Sequence, residues 1–130
     1  MLRIASFFAI ALLSSCAALP NNGSAPVAAD GSTVSLGIGQ STLLADNSLL
    51  SYTRLVNDSR CGPDVQCVWE GDAQVALQWR AAGAGAQQLR LHTSSKGGAT
   101  SARAGRRTIT LVALERGIAP KASLRIERID

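Results

Sequence analysis

The 130-residue chain carries 13 Lys and Arg against 9 Asp and Glu, a net charge of +4, with 4% aromatic residues, three cysteines and one histidine. A single histidine is too few for a multi-histidine metal centre, and the scarcity of aromatics argues against stacking on nucleic-acid bases. The length suits one domain with a real core and leaves no room for a second.

The chain opens with Arg3, an apolar run from Ile4 to Leu12, and then Leu13-Ser14-Ser15-Cys16. A short positive segment, an apolar stretch too short to span a bilayer and small residues before a cysteine read as a signal peptide over residues 1–15. The pattern resembles a bacterial lipoprotein signal. That resemblance implies that the Cys16 thiol receives a diacylglyceryl group, that cleavage leaves Cys16 as the first residue, and that its amine is a further site for acylation with a fatty acid such as palmitate. The expected partner is therefore a membrane, reached through the lipid on Cys16, and the expected location is the bacterial cell envelope. Ala17 stands where an Asp would imply retention at the inner membrane, so delivery to the outer membrane is expected.

From Ala17 to Gly31 the composition turns to Pro, Asn, Gly, Ser and Ala without apolar periodicity. Residues 16–31 thus read as the lipidated cysteine and a flexible tether, and residues 32–130 as the folded domain. Within it, period-two alternation dominates. Val34, Leu36 and Ile38 alternate with polar or glycine neighbours, and Leu50, Tyr52, Arg54 and Val56 share a face opposite Leu49, Ser51, Thr53 and Leu55. Val75, Leu77 and Trp79 point inward against Gln74, Ala76, Gln78 and Arg80, and Leu89 and Leu91 do so against Gln88, Arg90 and His92. The Gly-Ala segment from Ala81 to Ala86 suits a hairpin between those two strands. An apolar run from Ile109 to Leu114 and an alternation at Leu124 and Ile126 complete the pattern, with Glu115–Pro120 as a loop. Six to eight short strands with Gly-rich turns predict an all-β antiparallel sandwich, Ig-like in general architecture, with a small β-barrel as the alternative.

The densest segment is Asn57-Asp58-Ser59-Arg60-Cys61-Gly62-Pro63-Asp64-Val65-Gln66-Cys67-Val68-Trp69-Glu70-Gly71-Asp72. With Cys16 lipidated, Cys61 and Cys67 remain as an even pair in an oxidising compartment, and their spacing fits neither C-x-x-C redox chemistry nor a usual zinc knuckle. A structural disulfide is expected. Pro63 and Gly62 make a turn, Asp58 and Ser59 are placed to accept from nearby backbone N–H groups, and Gly71 permits an unusual φ. Arg60 is expected to pair with Asp58 or Glu70 while Trp69 plugs one end of the core; on the other reading, Arg60 and Trp69 belong to a rigid binding loop. A calcium site from Asp58, Asp64, Glu70 and Asp72 is a further reading, without EF-hand spacing.

The motif D-S-R-C-x-P-x-x-x-C-x-W-x-G resembles the signature of a group of small exported bacterial proteins and lipoproteins with β-sandwich domains. The resemblance spans roughly residues 34–129, with its specificity concentrated in 58–71, and this chain departs from the pattern by inserting Gly62 before Pro63. It implies a fold and an export route, and carries over no activity and no catalytic residue.

Residues 17–72 hold two Arg against six carboxylates, and residues 73–130 hold ten Lys or Arg against three. Such asymmetry marks an anionic partner unless strands from the two halves interleave and mix the signs. Lys96 and Arg103 fall in a Gly-, Ala- and Ser-rich stretch, Thr93 to Gly105, that reads as a mobile loop able, with the adjoining Arg106 and Arg107, to capture an anionic envelope polymer. His92 lies on the polar face of its strand and reads as a surface histidine. No G-x-S-x-G context, free thiol–histidine pair or metal set is present, so catalysis, cofactors and nucleic acid are not expected. The binding candidates are Arg60, Trp69, Arg103, Arg106 and Arg107. They support two expectations: a non-catalytic binding or inhibitory module acting on an envelope protein through the disulfide-closed loop, or a spacer lipoprotein that associates weakly with anionic polymers through the basic loop.

Overall fold

The structure is a computed structural model that describes residues 26–130; the signal segment, Cys16 and most of the tether lie outside the described residues. Nine strands are present there: β1 (Val27–Ala28), β2 (Thr33–Leu36), β3 (Ser41–Leu44), β4 (Leu49–Asp58), β5 (Ala73–Arg80), β6 (Ala86–His92), β7 (Ser101–Ala104), β8 (Arg107–Leu114) and β9 (Ala122–Arg128). They form a five-stranded sheet of order β1-β3-β4-β5-β6 and a four-stranded sheet of order β2-β9-β8-β7, packed face to face as the all-β pattern predicts.

The core is the sum of the inward alternations. Val75, Leu77, Leu89 and Leu91 from one sheet meet Ile109, Leu124 and Ile126 from the other, with Leu50 and Tyr52 fully enclosed. The expected hairpin between β5 and β6 forms through residues 81–85, pairing Arg80 with Ala86.

Three local expectations are corrected. Tyr52 and Arg54 do not share a face: a bulge at Thr53 pairs Tyr52 with Leu77 and then Arg54 with Ala76, so the inward position passes to Leu55. One extra residue reverses the parity until a second irregularity, between Leu55 and Asn57, restores it. β2 stops at Leu36, because Gly37 to Gln40 closes a turn with Gly39 at φ 86°, which turns Ile38 outward. The stretch Thr93–Gly105 is not one mobile loop. Ala102 packs against the core, Ala104 is buried within it, and Gly105 (φ 62°) makes the tight turn that brings Arg107 opposite Ala104.

The tether expected over residues 16–31 also ends earlier. The Pro26 carbonyl accepts hydrogen bonds from the Thr42 hydroxyl (2.7 Å) and the Leu43 N–H (2.8 Å), and Val27–Ala28 runs parallel to β3. Beyond it, Asp30 receives both Nε (2.6 Å) and Nη2 (3.0 Å) of Arg107, whose Nη1 reaches Asp46 at 3.0 Å. Two acids of the acidic half thus hold a buried cation of the basic half. The strands do interleave, and the two signs mix in space.

Candidate binding surface

The chain order places three connections, residues 59–72, 93–100 and 115–121, at one end of the sandwich. The β5–β6 and β7–β8 turns lie at the other.

The long connection between β4 and β5 is built as a stem and a closed loop. In the stem, the Ser59 N–H donates to the Asp72 carbonyl (2.7 Å) and the Cys61 N–H to the Glu70 carbonyl (2.9 Å). The strands of the stem approach so closely at Gly71 (φ 77°) that a Cβ there would lie 2.1 Å from the Ser59 carbonyl oxygen. This is a position only glycine fills. Beyond the stem, the Cys61–Cys67 disulfide closes the loop, as expected, with Cα atoms 6.0 Å apart.

Arg60 fixes this loop to the next. Its Nε and Nη2 donate to the two carboxylate oxygens of Asp58 (2.9 and 2.7 Å), while Nη1 donates to the Leu114 carbonyl (2.6 Å) and Nη2 to that of Glu115 (2.7 Å). The side chain is largely buried and all its bonds go to oxygens of the protein, the geometry for which a planar guanidinium is suited. The Arg60 hydrogen bonds outweigh partial burial and hold the Asp58 carboxyl below the usual carboxylate range.

Asp72 ties in the third loop. Its carboxylate accepts from His92 Nδ1 (2.6 Å), the Ser94 N–H (2.9 Å) and the Thr93 hydroxyl (3.3 Å). Burial works against its charge, yet the His92 and Ser94 bonds prevail and lower its pKa. The backbone at Gly97 and Gly98 covers the pair, leaving no room for a Cβ beside the Asp72 carboxylate or the His92 ring. His92 is therefore not the free surface histidine that alternation predicts; it sits on the polar face, as expected, but half-buried and engaged. The Ser94 hydroxyl donates to Glu70 (3.1 Å), joining the same two loops a second time.

A shallow pocket of about 210 Å³ opens between the three loops, lined by Arg60, Glu70, Gly71, Thr93, Ser94 and Arg116. Two of these loops also carry apolar side chains exposed to solvent. Val68 and Ile118 are fully in solvent (relative exposures 108% and 99%), with Val65 at 62% and Trp69 at 50%. Trp69 does not plug the core, as the core-plug reading expects; Gly71 turns the chain between it and the first buried residue of β5, leaving half the indole outside.

Of the five binding candidates, Arg60 and Trp69 lie at this end. Arg103 on β7 and Arg106 in the β7–β8 turn are exposed at the other, so the two sets form no common surface. Arg107 is buried and held by Asp30 and Asp46, which removes it from any exposed basic patch. The four carboxylates of the calcium reading do not converge: Asp58 faces Arg60, Asp72 faces His92, and among the described residues no three metal-ligating groups come together. The alternation pattern gave no sign of Ile118 or of the Asp72–His92 pair. Ile118 was visible only as an isolated apolar residue between Gly117 and Pro120, and the Asp72–His92 pair joins residues twenty apart. Compared with protein-family models, curated proteins and solved structures, the chain matches none.

Proposed function

We propose that this protein is a lipid-anchored lipoprotein of the bacterial envelope, held at the outer membrane by Cys16, and that it works as a non-catalytic binding module. Its contact surface is the end bearing the disulfide-closed loop, and an inhibitor presenting that loop is the narrower form of the same idea. One observation carries this reading: exposed apolar side chains, Trp69 among them, stand on loops immobilised by a disulfide and by Arg60. A surface already ordered loses little entropy on association, and an exposed aromatic is a common centre of binding energy. The basic-loop alternative is weakened by the burial of Arg107 and by the placement of Lys96 at the end opposite Arg103 and Arg106, which divides its remaining cations.

Two substitutions separate surface from scaffold. Trp69→Ala removes contact area from a half-exposed site, and is expected to weaken association with envelope components at least about tenfold with little change in the unfolding midpoint. Arg60→Ala releases the loop from Leu114 and Glu115 and is expected to weaken association as strongly, with some loss of stability. Unchanged association of both variants with fractionated envelopes would overturn the proposal.

A further inference from the structure

The pocket between the three loops is polar, and most of the hydrogen-bonding capacity on its walls is already used. The Thr93 hydroxyl accepts from the Ala73 N–H (2.9 Å) and donates to Asp72 (3.3 Å). The Ser94 hydroxyl donates to Glu70 Oε1 (3.1 Å) and accepts from the Lys96 N–H (3.3 Å). Four of the five Arg60 N–H groups go to Asp58, Leu114 and Glu115. What is left over is charged. Among the described residues Arg116 makes no hydrogen bond or ion pair, Glu70 Oε2 has no donor, and one Nη1 N–H of Arg60 is unused.

We infer that this pocket takes a zwitterionic α-amino-acid group, its carboxylate received by Arg116 and the spare N–H of Arg60, its ammonium by Glu70. The inference rests on the reading of this end as the contact surface, and names the chemistry that surface recognises.

Three observations point to a ligand of both signs. Glu70 and Arg116 line one small cavity with opposite charges and yet do not pair with each other, so each remains open to a partner. The other two charges beside them, Arg60 and Asp58, cancel in their own ion pair, which leaves a site without net charge and suits a ligand without one. A neutral polyol would look instead to the hydroxyls of Thr93 and Ser94, and both are engaged. The donor sets also match: a guanidinium fork receives a carboxylate, and an ammonium offers three N–H groups to a carboxylate oxygen. Glu70 is held for this role. Its carbonyl accepts the Cys61 N–H in the stem, and its Oε1 is fixed by Ser94. Size sets the extent of what enters. At about 210 Å³ the pocket is smaller than the roughly 300–1,000 Å³ that encloses a whole drug-sized ligand, so it receives a free amino acid or the amino-acid end of something longer.

The test is titration of the isotope-labelled whole chain in mild detergent, read by amide NMR. Alanine is expected to shift the amides of Gly71, Thr93, Ser94 and Arg116 with a dissociation constant on the order of 1 mM, since exposed charge pairs hold weakly. N-acetylalanine lacks the ammonium and alanine amide lacks the carboxylate; each should bind at least about tenfold more weakly. Single substitutions then assign the two charges. Glu70→Gln keeps an acceptor for Ser94 and should lose the preference for alanine over N-acetylalanine, while Arg116→Gln, at an exposed position, should lose the preference over alanine amide. Neither should move the unfolding midpoint. Nε-acetyllysine binding as tightly as alanine assigns an end group carried on a longer molecule, and binding of alanine without Nε-acetyllysine assigns the free amino acid; either result supports the inference. No shifts, shifts confined to residues away from the pocket, or equal binding of alanine and its two derivatives would each overturn it. If alanine is not bound while Trp69→Ala still weakens association with envelopes, the contact surface stands and the amino-acid ligand falls. If neither effect is seen, both fall.

Discussion

Gly71→Ala is expected to be the most damaging single substitution in the loop, costing about 2–4 kcal/mol of folding stability. Two effects add. At φ 77° an L side chain already sits in the left-handed region, and the new Cβ would lie 2.1 Å from the Ser59 carbonyl oxygen, an atom of the backbone that cannot rotate away. To accept it, the stem must open, which breaks the Ser59–Asp72 and Cys61–Glu70 hydrogen bonds. Gly83 supplies the control. It has nearly the same φ, 73°, in the β5–β6 turn, but nothing lies within 4 Å of the position its Cβ would take. Gly83→Ala should cost only the backbone preference, about 1–2 kcal/mol. Urea unfolding of the two variants side by side measures the difference, and equal losses would mean that the stem is not the closely packed feature described.

The second large effect concerns the disulfide. Replacing Cys61 and Cys67 together by Ser restores freedom to the unfolded chain across a sequence separation of 6, which in the chain-entropy treatment corresponds to about 2.4 kcal/mol. The native loop changes as well. Its stem remains hydrogen-bonded and Arg60 still holds Asp58, Leu114 and Glu115, so the sandwich should persist while the segment between Cys61 and Cys67 gains mobility. The expected result is a lower urea midpoint with an unchanged dependence on urea, and rapid hydrogen exchange confined to residues 61–69. Exchange spreading into β4 and β5 would show instead that the bridge supports the sheet.

Much of the fold was legible because its core is written in large aliphatic residues at period two. Val75, Leu77, Leu89, Leu91, Leu124 and Ile126 all lie where alternation puts them. The failures have a common character. The β4 bulge changes which face Arg54 and Leu55 occupy through one inserted residue that no periodicity announces. β7 was hidden because its inward residues are Ala102 and Ala104, whose small side chains give a weak hydrophobic signal among glycines and serines. Val27–Ala28 was hidden by its brevity, since two residues cannot show a period, and the bonds that hold it come from Thr42 and Leu43 across the chain.

The candidate surface was half legible. The cysteine spacing and the Arg-Cys and Trp-Glu-Gly flanks pointed to a closed, rigid corner, and the Arg60–Asp58 pair follows from two residues of opposite charge two positions apart. What could not be read was where the corner points and what stands beside it. Trp69 is an apolar residue in a sequence that reads equally well as core plug or surface anchor, and only the turn at Gly71 decides between them. The Asp72–His92 link joins residues twenty apart in the chain. Long-range placement also separated Arg103 and Arg106 from Arg107, three cations that look like one patch in the sequence and have different roles in space.

Whether the protein uses the end carrying the disulfide-closed loop is tested by photo-cross-linking in intact cells with a diazirine-bearing amino acid placed singly at Val68, at Ile118, and at Ala82 in the β5–β6 turn of the opposite end. Cross-linked adducts are expected from positions 68 and 118 and none from position 82. Adducts from position 82 alone, or equal yields from both ends, would contradict that use.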